Sequence, residues 1–224
     1  MKTLRFLLLT LILSGFTFLQ AQDKKVYTTT YIDIPITWAT VTDNGQSLNG
    51  VVRFAPFFNF GNNVNVDFSE KAGFYGGWNI QNTGFIYDVD ENTRKKVRNY
   101  YLGIPVGLKF GNMDKGYFYI GYELALPFNY KEKTFINEVK TKFNTWFSNR
   151  SAIQQSISIG AQLPYGANIK FKYYFTNFYK QSYTESDGQG GSVYPYENFE
   201  ANIFWVSLTF ELFRGWKFVY VDEY

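Results

Sequence analysis

Charged side chains are the residues of this chain that most invite a chemical interpretation. Eight of them share one face of segments in which apolar and polar residues alternate: Asp33, Arg53, Lys71, Lys109, Glu123, Lys170, Lys172 and Glu211. The sequence has no histidine and no cysteine, which excludes histidine-dependent hydrolysis, thiol chemistry and the usual transition-metal sites. We therefore expect no enzyme activity, no catalytic residue, no metal site and no cofactor.

The eight charges are better interpreted as a network inside the protein. An unpaired buried charge costs several kcal/mol, so we predict that they pair with one another. For Glu123 we expect a cation from another wall, with Arg53, Lys71 and Lys170 as the candidates. A narrow cation-lined path that favours anions is the alternative, because Lys and Arg outnumber Asp and Glu in this set.

The segments that position these charges have a period of two, which is typical of β-strands. The pattern is clearest in residues 100–130, where one face carries Leu102, Ile104, Val106, Leu108 and Phe110. The opposite face of the same segment is small, polar or charged. A soluble sandwich would bury the apolar face, whereas a membrane barrel turns it towards lipid and fills its interior with the polar face. Aromatic residues make up 21% of the chain, which favours the barrel because such proteins carry aromatic girdles.

The sequence predicts an all-β fold, an antiparallel up-and-down transmembrane β-barrel of about eight strands, with ten as the alternative. The predicted strands are residues 26–40, 51–60, 68–87, 100–110, 116–130, 151–163, 168–180 and 200–213. We expect an irregularity at Pro35 and a bulge near residues 82–84. Short turns are predicted near Gly61, Gly111 and Pro164. The other connections, including residues 88–98 and 131–150, are predicted as longer polar loops, which is the asymmetry of outer-membrane barrels.

The first residues predict export from the cytoplasm. Lys2 and Arg5 precede an apolar run that ends before Ala21, so we predict a signal peptide at 1–21, the barrel at 22–213 and a periplasmic tail at 214–224. No cysteine is present to accept a lipid anchor. The formal net charge of +3 is too small to indicate nucleic acid as a partner.

The strand YYLGIPVGLKFG resembles a strand of the small outer-membrane β-barrel proteins of Bacteroidetes, a group that includes PorT-like barrels. The final strand, NFEANIFWVSLTFELF, is similar to their closing strand. The resemblance implies an eight-stranded barrel in the outer membrane, and some members of the family are accessory factors for protein secretion or gliding.

These observations lead to one expected function and two alternatives. We expect a non-enzymatic integral outer-membrane barrel with a structural or accessory role, such as protein secretion or envelope assembly. Its expected partners are outer-membrane lipid and an envelope protein that contacts the outer loops or the C-terminal tail. The alternatives are a narrow anion-favouring channel and a secreted soluble barrel that binds a small apolar ligand.

Overall fold

The structure is a computed structural model that describes the backbone of residues 24–220 and the side chains of residues 25–214. The predicted signal peptide, residues 1–21, lies outside this part of the chain. The strands are β1 (Lys24–Asp43), β2 (Gln46–Val51), β3 (Arg53–Phe54), β4 (Phe60–Asp67), β5 (Ala72–Asp88), β6 (Thr93–Asn112), β7 (Gly116–Ile136), β8 (Val139–Trp146), β9 (Gln154–Gln162), β10 (Ala167–Tyr174), β11 (Glu185–Ser186), β12 (Ser192–Val193) and β13 (Phe199–Tyr220). A short 3₁₀ turn, Pro164–Gly166, precedes β10. No helix in the described residues is long and apolar enough to cross a membrane.

Eleven of these strands form one antiparallel sheet that closes into a ring of eight positions. β2, β3 and β4 together occupy the second position, between β1 and β5, while β8 and β9 share the position after β7. β13 closes the ring by pairing with β1 along almost the whole of both strands. The predicted eight-position antiparallel barrel is therefore confirmed. β11 and β12 form a separate small hairpin in the loop between β10 and β13.

The second position of the ring is interrupted. Residues 55–59 leave the sheet between β3 and β4, opposite Pro35 on β1, and the register of the neighbouring pairs shifts across this gap. Proline has no N–H group to donate to a neighbouring strand. The predicted irregularity at Pro35 lies at the point where the second position of the ring leaves the sheet. The bulge predicted near residues 82–84 was wrong, because β5 pairs with β6 in one continuous register.

One predicted turn was also wrong. Residues 61–63 lie inside β4, and the chain turns instead at residues 68–71. The predicted turns near Gly111 and Pro164 are confirmed at residues 113–115 and 163–166. These three short turns share one end of the barrel with the first and last described residues, which pair as Lys24 with Tyr220. We call this end the periplasmic end, after the expected outer-membrane barrel, in which short turns lie in the periplasm.

Several strands have different limits from those predicted. Residues 93–98, predicted as loop, belong to β6, and β7 continues to Ile136. β8 pairs with the final part of β7. The two predicted loops, residues 88–98 and 131–150, therefore contribute to a three-stranded extension beyond the barrel. We call this extension, made of the outer parts of β6 and β7 with β8, the outer hairpin. β10 ends at Tyr174, earlier than residue 180. β13 continues to Tyr220, so residues 214–220 of the predicted tail are strand.

Candidate functional site: the two faces of the barrel

The outward face of the barrel carries a continuous apolar band. On β6 the exposed fractions run from 39% for Leu102 to 50% for Phe110, and on β7 Phe118 reaches 71%. The residues between them point inward, and among them Tyr101 and Lys109 are almost fully buried. An exterior of this kind is unfavourable in water but suits the hydrocarbon interior of a bilayer, where a closed barrel leaves no backbone group unpaired at an edge.

An aromatic girdle borders this band at the end away from the periplasmic turns. The rings of Phe58, Tyr100, Phe128, Trp146 and Phe147 follow one another around the outward face. Successive ring centroids are 5.7 to 6.4 Å apart. Aromatic side chains concentrate at the interface between hydrocarbon and water, so the girdle marks the outer boundary of the membrane-spanning part.

Inside the barrel, the most elaborate of the buried ion pairs joins Lys172 to Glu123. Lys172 Nζ lies 2.9 Å and 3.0 Å from the two carboxylate oxygens of Glu123. The amides of Asn79 and Gln81 also donate to this carboxylate. Gln81 Oε1 in turn accepts hydrogen bonds from Lys172 and Tyr174. Every charge at this centre therefore has a partner, which is the condition for a buried ion pair to be tolerated.

Two further ion pairs lie nearer the periplasmic end. Lys170 Nζ donates to both carboxylate oxygens of Asp33, at 2.9 and 3.0 Å, and the Thr209 hydroxyl donates to the same carboxylate. Lys109 Nζ lies 2.6 Å from Asp67 Oδ1. Lys109 also donates to Asn65 Oδ1 and to the hydroxyl oxygen of Tyr27, each at 3.1 Å. Five of the eight predicted charges, together with Asp67, thus form three separate buried ion pairs.

Sequence reasoning missed Asp67 and chose the wrong partners for Glu123. Asp67 is the last residue of β4, and the alternation of Asn63, Val64, Asn65, Val66 and Asp67 was the available signal. The turn predicted at residues 61–63 leaves Asp67 outside the predicted strand, whereas β4 extends through it. None of Arg53, Lys71 and Lys170 pairs with Glu123, since Lys172 occupies that place.

Arg53 is buried, at 2% exposure, but it does not join the ion pairs. Its guanidinium donates to the backbone oxygen of Asn82 at 3.1 Å and to the side-chain oxygen of the same residue at 2.5 Å. Asn82 lies on β5 beside the gap at residues 55–59. Asn59, the last residue of this gap, accepts a hydrogen bond from the Asn82 backbone N–H through its side-chain oxygen. Arg53 and Asn59 therefore supply hydrogen bonds where the second strand position is interrupted.

Lys71 and Glu211 also lie outside the buried ion pairs. Lys71 is exposed, because it belongs to the periplasmic turn at residues 68–71 and not to a strand. Glu211 is half-buried near the periplasmic end, and its nearest cation is Arg214, at 3.4 Å. Of the eight predicted residues, Asp33, Lys109, Glu123, Lys170 and Lys172 form the buried pairs.

The outer half of the interior is filled by apolar and aromatic side chains. Phe178 and Tyr179 come from the loop after β10 and are 0% and 1% exposed. They pack with residues of several strands: Ala39, Val41, Phe85, Tyr87, Val97, Tyr130, Tyr174, Phe199, Ala201, Ile203 and Trp205. Tyr179 also stacks on Tyr196 with ring centroids 3.9 Å apart. We call this cluster the outer plug, since it closes the mouth above the ion pairs.

A cavity of about 340 Å³ lies at the periplasmic end, lined by residues that include Tyr117, Gln162 and Arg214. The space nearer the ion pairs is smaller. One cavity of about 50 Å³ is lined by residues that include Tyr75, Glu123, Lys170 and Lys172. A cavity of this size holds a few water molecules at most. Each of the three buried lysines faces one carboxylate, whereas the buried Arg53 is held by the oxygens of Asn82.

No protein-family model matches the chain, and neither does any curated protein. Among solved structures, it is similar to the attachment invasion locus protein Ail of Yersinia pestis, at 12% identity and a TM-score of 0.37, over 88% of this chain and 99% of that one. Neisserial surface protein A is 10% identical, with a TM-score of 0.40, over 83% of this chain and 99% of that chain. OprG of Pseudomonas aeruginosa is 12% identical, with a TM-score of 0.32, over 88% and 96%.

The geometry of the molecule itself is more informative than these similarities. A closed antiparallel sheet has an apolar band outside, an aromatic girdle above the band and paired charges inside. In lipid, only helices and closed barrels satisfy their own backbone, and small barrels of this type belong to outer membranes. The chain is an integral outer-membrane β-barrel protein.

Proposed function

We propose that this outer-membrane barrel is non-enzymatic, that its interior is closed, and that it has a structural or accessory role in the envelope. The observation that carries the proposal is the filled interior, in which three ion pairs lie beneath the outer plug. A barrel of eight strands is just wide enough for side chains to fill it. The cavity beside the ion pairs has a volume of about 50 Å³, and a second cavity, of about 340 Å³, lies at the periplasmic end among turn residues such as Lys115 and Tyr165.

The two alternative functions have less support. An anion-favouring channel requires cations that are free to attract anions, whereas Lys109, Lys170 and Lys172 each contact a carboxylate. A soluble carrier of an apolar ligand requires the apolar strand face to line the interior. In this barrel the apolar face of β6 points outward and the interior around the ion pairs is polar.

The accessory role, in protein secretion or envelope assembly, is supported by the resemblance of residues 100–111 and of the closing strand to the Bacteroidetes barrels. The outer hairpin is the part best placed to contact an envelope protein, because it projects beyond the aromatic girdle and exposes Ile136 and Val139 at its tip. The C-terminal segment is less suited to this role, since residues 214–220 continue β13.

Reconstitution of the full chain tests the closed barrel. Purified protein that migrates differently before and after boiling is folded, and in planar bilayers we expect it to give no conductance steps. The matched variant Glu123→Ala/Lys172→Ala lacks one interior ion pair. Conductance steps that are more frequent in this variant than in the wild type would show that ions pass through the barrel interior. Regular anion-selective steps from the folded wild type would reject the closed barrel in favour of a channel.

A cell-based experiment tests the accessory role. A strain that lacks the protein should release less exported protein into its medium, and the full-length chain should restore this release. A variant in which Ile136 and Val139 are replaced by serine should reach the outer membrane but restore release poorly. Full restoration by this variant would remove the outer hairpin tip as the contact surface, and unchanged release in the deleted strain would contradict the role itself.

A further inference from the structure

The outward face of the outer hairpin carries a set of cations beyond the aromatic girdle. Outside the membrane band, the strands continue the alternation. Among its outward positions, Phe135 and Asn144 are neutral and Arg94 pairs with Asp88, while six others carry cations that form no salt bridge among residues 25–214. They are Lys96 and Arg98 on β6, Lys131 and Lys133 on β7, and Lys140 and Lys142 on β8. We call these six residues the outer basic cluster.

The strand register places like charges directly opposite one another. Arg98 faces Lys131, and Lys133 faces both Lys96 and Lys142. Like charges at opposed positions destabilise a sheet. Burial, followed by the charges of Lys140, Arg98, Lys142 and Lys131, lowers the pKa of Lys133. These opposed cations therefore do not stabilise the fold by themselves. A bound anion would offset their mutual repulsion.

The charge balance differs between the two faces of the same hairpin. On the inward face, Lys95 forms a salt bridge with Glu132 at 3.7 Å. Among residues 25–214, no carboxylate forms a salt bridge with any member of the outer basic cluster. Lysine at the free edge of β8 would also discourage edge-to-edge aggregation, but edge protection does not explain cations on the paired strand β6.

The depth of the outer basic cluster identifies its anion. Arg98 and Lys131 both contact the ring of Tyr100, with their cationic centres 5.7 and 5.0 Å from the ring centroid. Tyr100 belongs to the aromatic girdle, so the cations begin where hydrocarbon gives way to headgroups. They also continue the lipid-facing side of β6 and β7, where a lipid is the immediate neighbour.

We propose that the outer basic cluster binds the phosphate groups of anionic lipid headgroups in the outer leaflet. The inference rests on the membrane insertion of the proposed function and specifies which lipid chemistry the barrel recognises. Basic clusters at a membrane surface attract anionic lipids, and each additional cation strengthens the attraction. The row formed by Lys96, Lys133 and Lys142 is the most regular part of this surface, because its members lie directly opposite one another on adjacent strands.

A lipid-binding titration tests the proposal with the full chain in detergent micelles. The probe is fluorescent lipid A with two phosphates, and the comparison is the same lipid with both phosphates removed. We expect the wild type to bind the phosphorylated form at least about tenfold more tightly. Equal affinity for both forms would overturn the proposal, and this comparison needs no variant that might fold differently. Millimolar inorganic phosphate should compete poorly; full displacement by it would show a site for free phosphate and also overturn the lipid assignment.

A pair of matched variants assigns the effect to the outer basic cluster. Lys96→Gln/Lys133→Gln/Lys142→Gln should reduce affinity for the phosphorylated lipid about tenfold or more. Lys71→Gln/Lys115→Gln/Lys180→Gln makes the same change in net charge at exposed positions elsewhere and should retain wild-type affinity. Equal losses in both variants would contradict a specific site. A heat-modifiability gel checks that each variant is folded, so loss of lipid preference is separated from failure of the barrel itself.

Discussion

Glu123 on β7 and Lys172 on β10 meet inside the barrel at 2.9 Å, although β9 lies between their strands. The pair therefore connects two walls through the interior, where backbone hydrogen bonds cannot reach. The same carboxylate also accepts hydrogen bonds from Asn79 and Gln81 on β5, so three non-adjacent strands depend on one side chain.

Replacement of this carboxylate should destabilise the barrel. Glu123→Gln leaves Lys172 as a buried cation without a carboxylate, and we expect a loss of about 3 to 5 kcal/mol in the free energy of unfolding. Urea unfolding in detergent measures this loss. In double-mutant cycles, Lys172→Met should couple strongly to Glu123→Gln. Lys109→Met, which breaks the separate pair with Asp67, should couple weakly; the reverse ranking would contradict the observed pairing.

A charge on the lipid-facing side should impair insertion. Val106 lies midway along the apolar stretch of β6 and is 46% exposed, so Val106→Arg should cost about 2 to 4 kcal/mol near mid-membrane. Unfolding in lipid vesicles measures the cost. Val139→Arg provides a matched control, because Val139 lies at the tip of the outer hairpin, where an added charge remains in water. Similar costs for the two variants would mean that Val106 does not face lipid.

A glycine in the interior should resist enlargement. A Cβ atom at Gly160 would collide with the ring of Tyr119, and the Tyr119 hydroxyl is held by its hydrogen bond to Asn168 at 2.9 Å. We expect Gly160→Ala to reduce stability by about 1 to 3 kcal/mol through overpacking. Gly76→Ala is the control, since its Cβ would make an ordinary contact of 3.6 Å with Val106. Thermal unfolding of both variants should show a loss only for Gly160→Ala.

The outer end of β5 should respond to acid. The hydrogen bond from Arg94, at 2.6 Å, together with a second from Asn49, lowers the pKa of the Asp88 carboxyl. Because the pKa of Asp88 is lower in the folded state, its carboxylate stabilises the contact between β5 and β6 at pH values above its unfolded pKa. This contribution is lost as the pH falls through the folded-state pKa. An NMR titration should give a lower midpoint for the wild type than for Arg94→Gln. Identical midpoints would show that the contact does not persist in solution.

The lipid-facing strand faces could be predicted from sequence because the signal is local. Within the membrane, an apolar outward residue such as Val106 alternates with an inward one such as Lys109, and two-residue periodicity is enough to assign both. Beyond the girdle the strands continue, but their outward residues become Lys96, Lys133 and Lys142. The contrast between the two faces then disappears, so the sequence of the outer hairpin predicts polar loops although its residues form strands.

The partners of the interior charges could not be predicted in the same way. Whether Glu123 meets Lys170 or Lys172 depends on the stagger between strands around the ring, which no short stretch of sequence contains. The two lysines lie on the same face of β10, two residues apart, and either satisfies the alternation. Asp67 could not be predicted for a different reason. The glycine and asparagines at residues 61–63 have the composition of a turn, although they lie within the same strand as Asp67.

The pairing of Lys24 with Tyr220 has a consequence for the order of assembly. The strands that close the ring are the first and the last of the described chain, so the seam cannot form until β13 has been synthesised and delivered. Until then β1 presents a long unpaired edge that could pair with other chains. Contacts between residues so distant in sequence also form slowly, because a large loop must close before they are made. The exported chain must therefore travel with its edges protected, and closure of the seam completes its entry into the membrane.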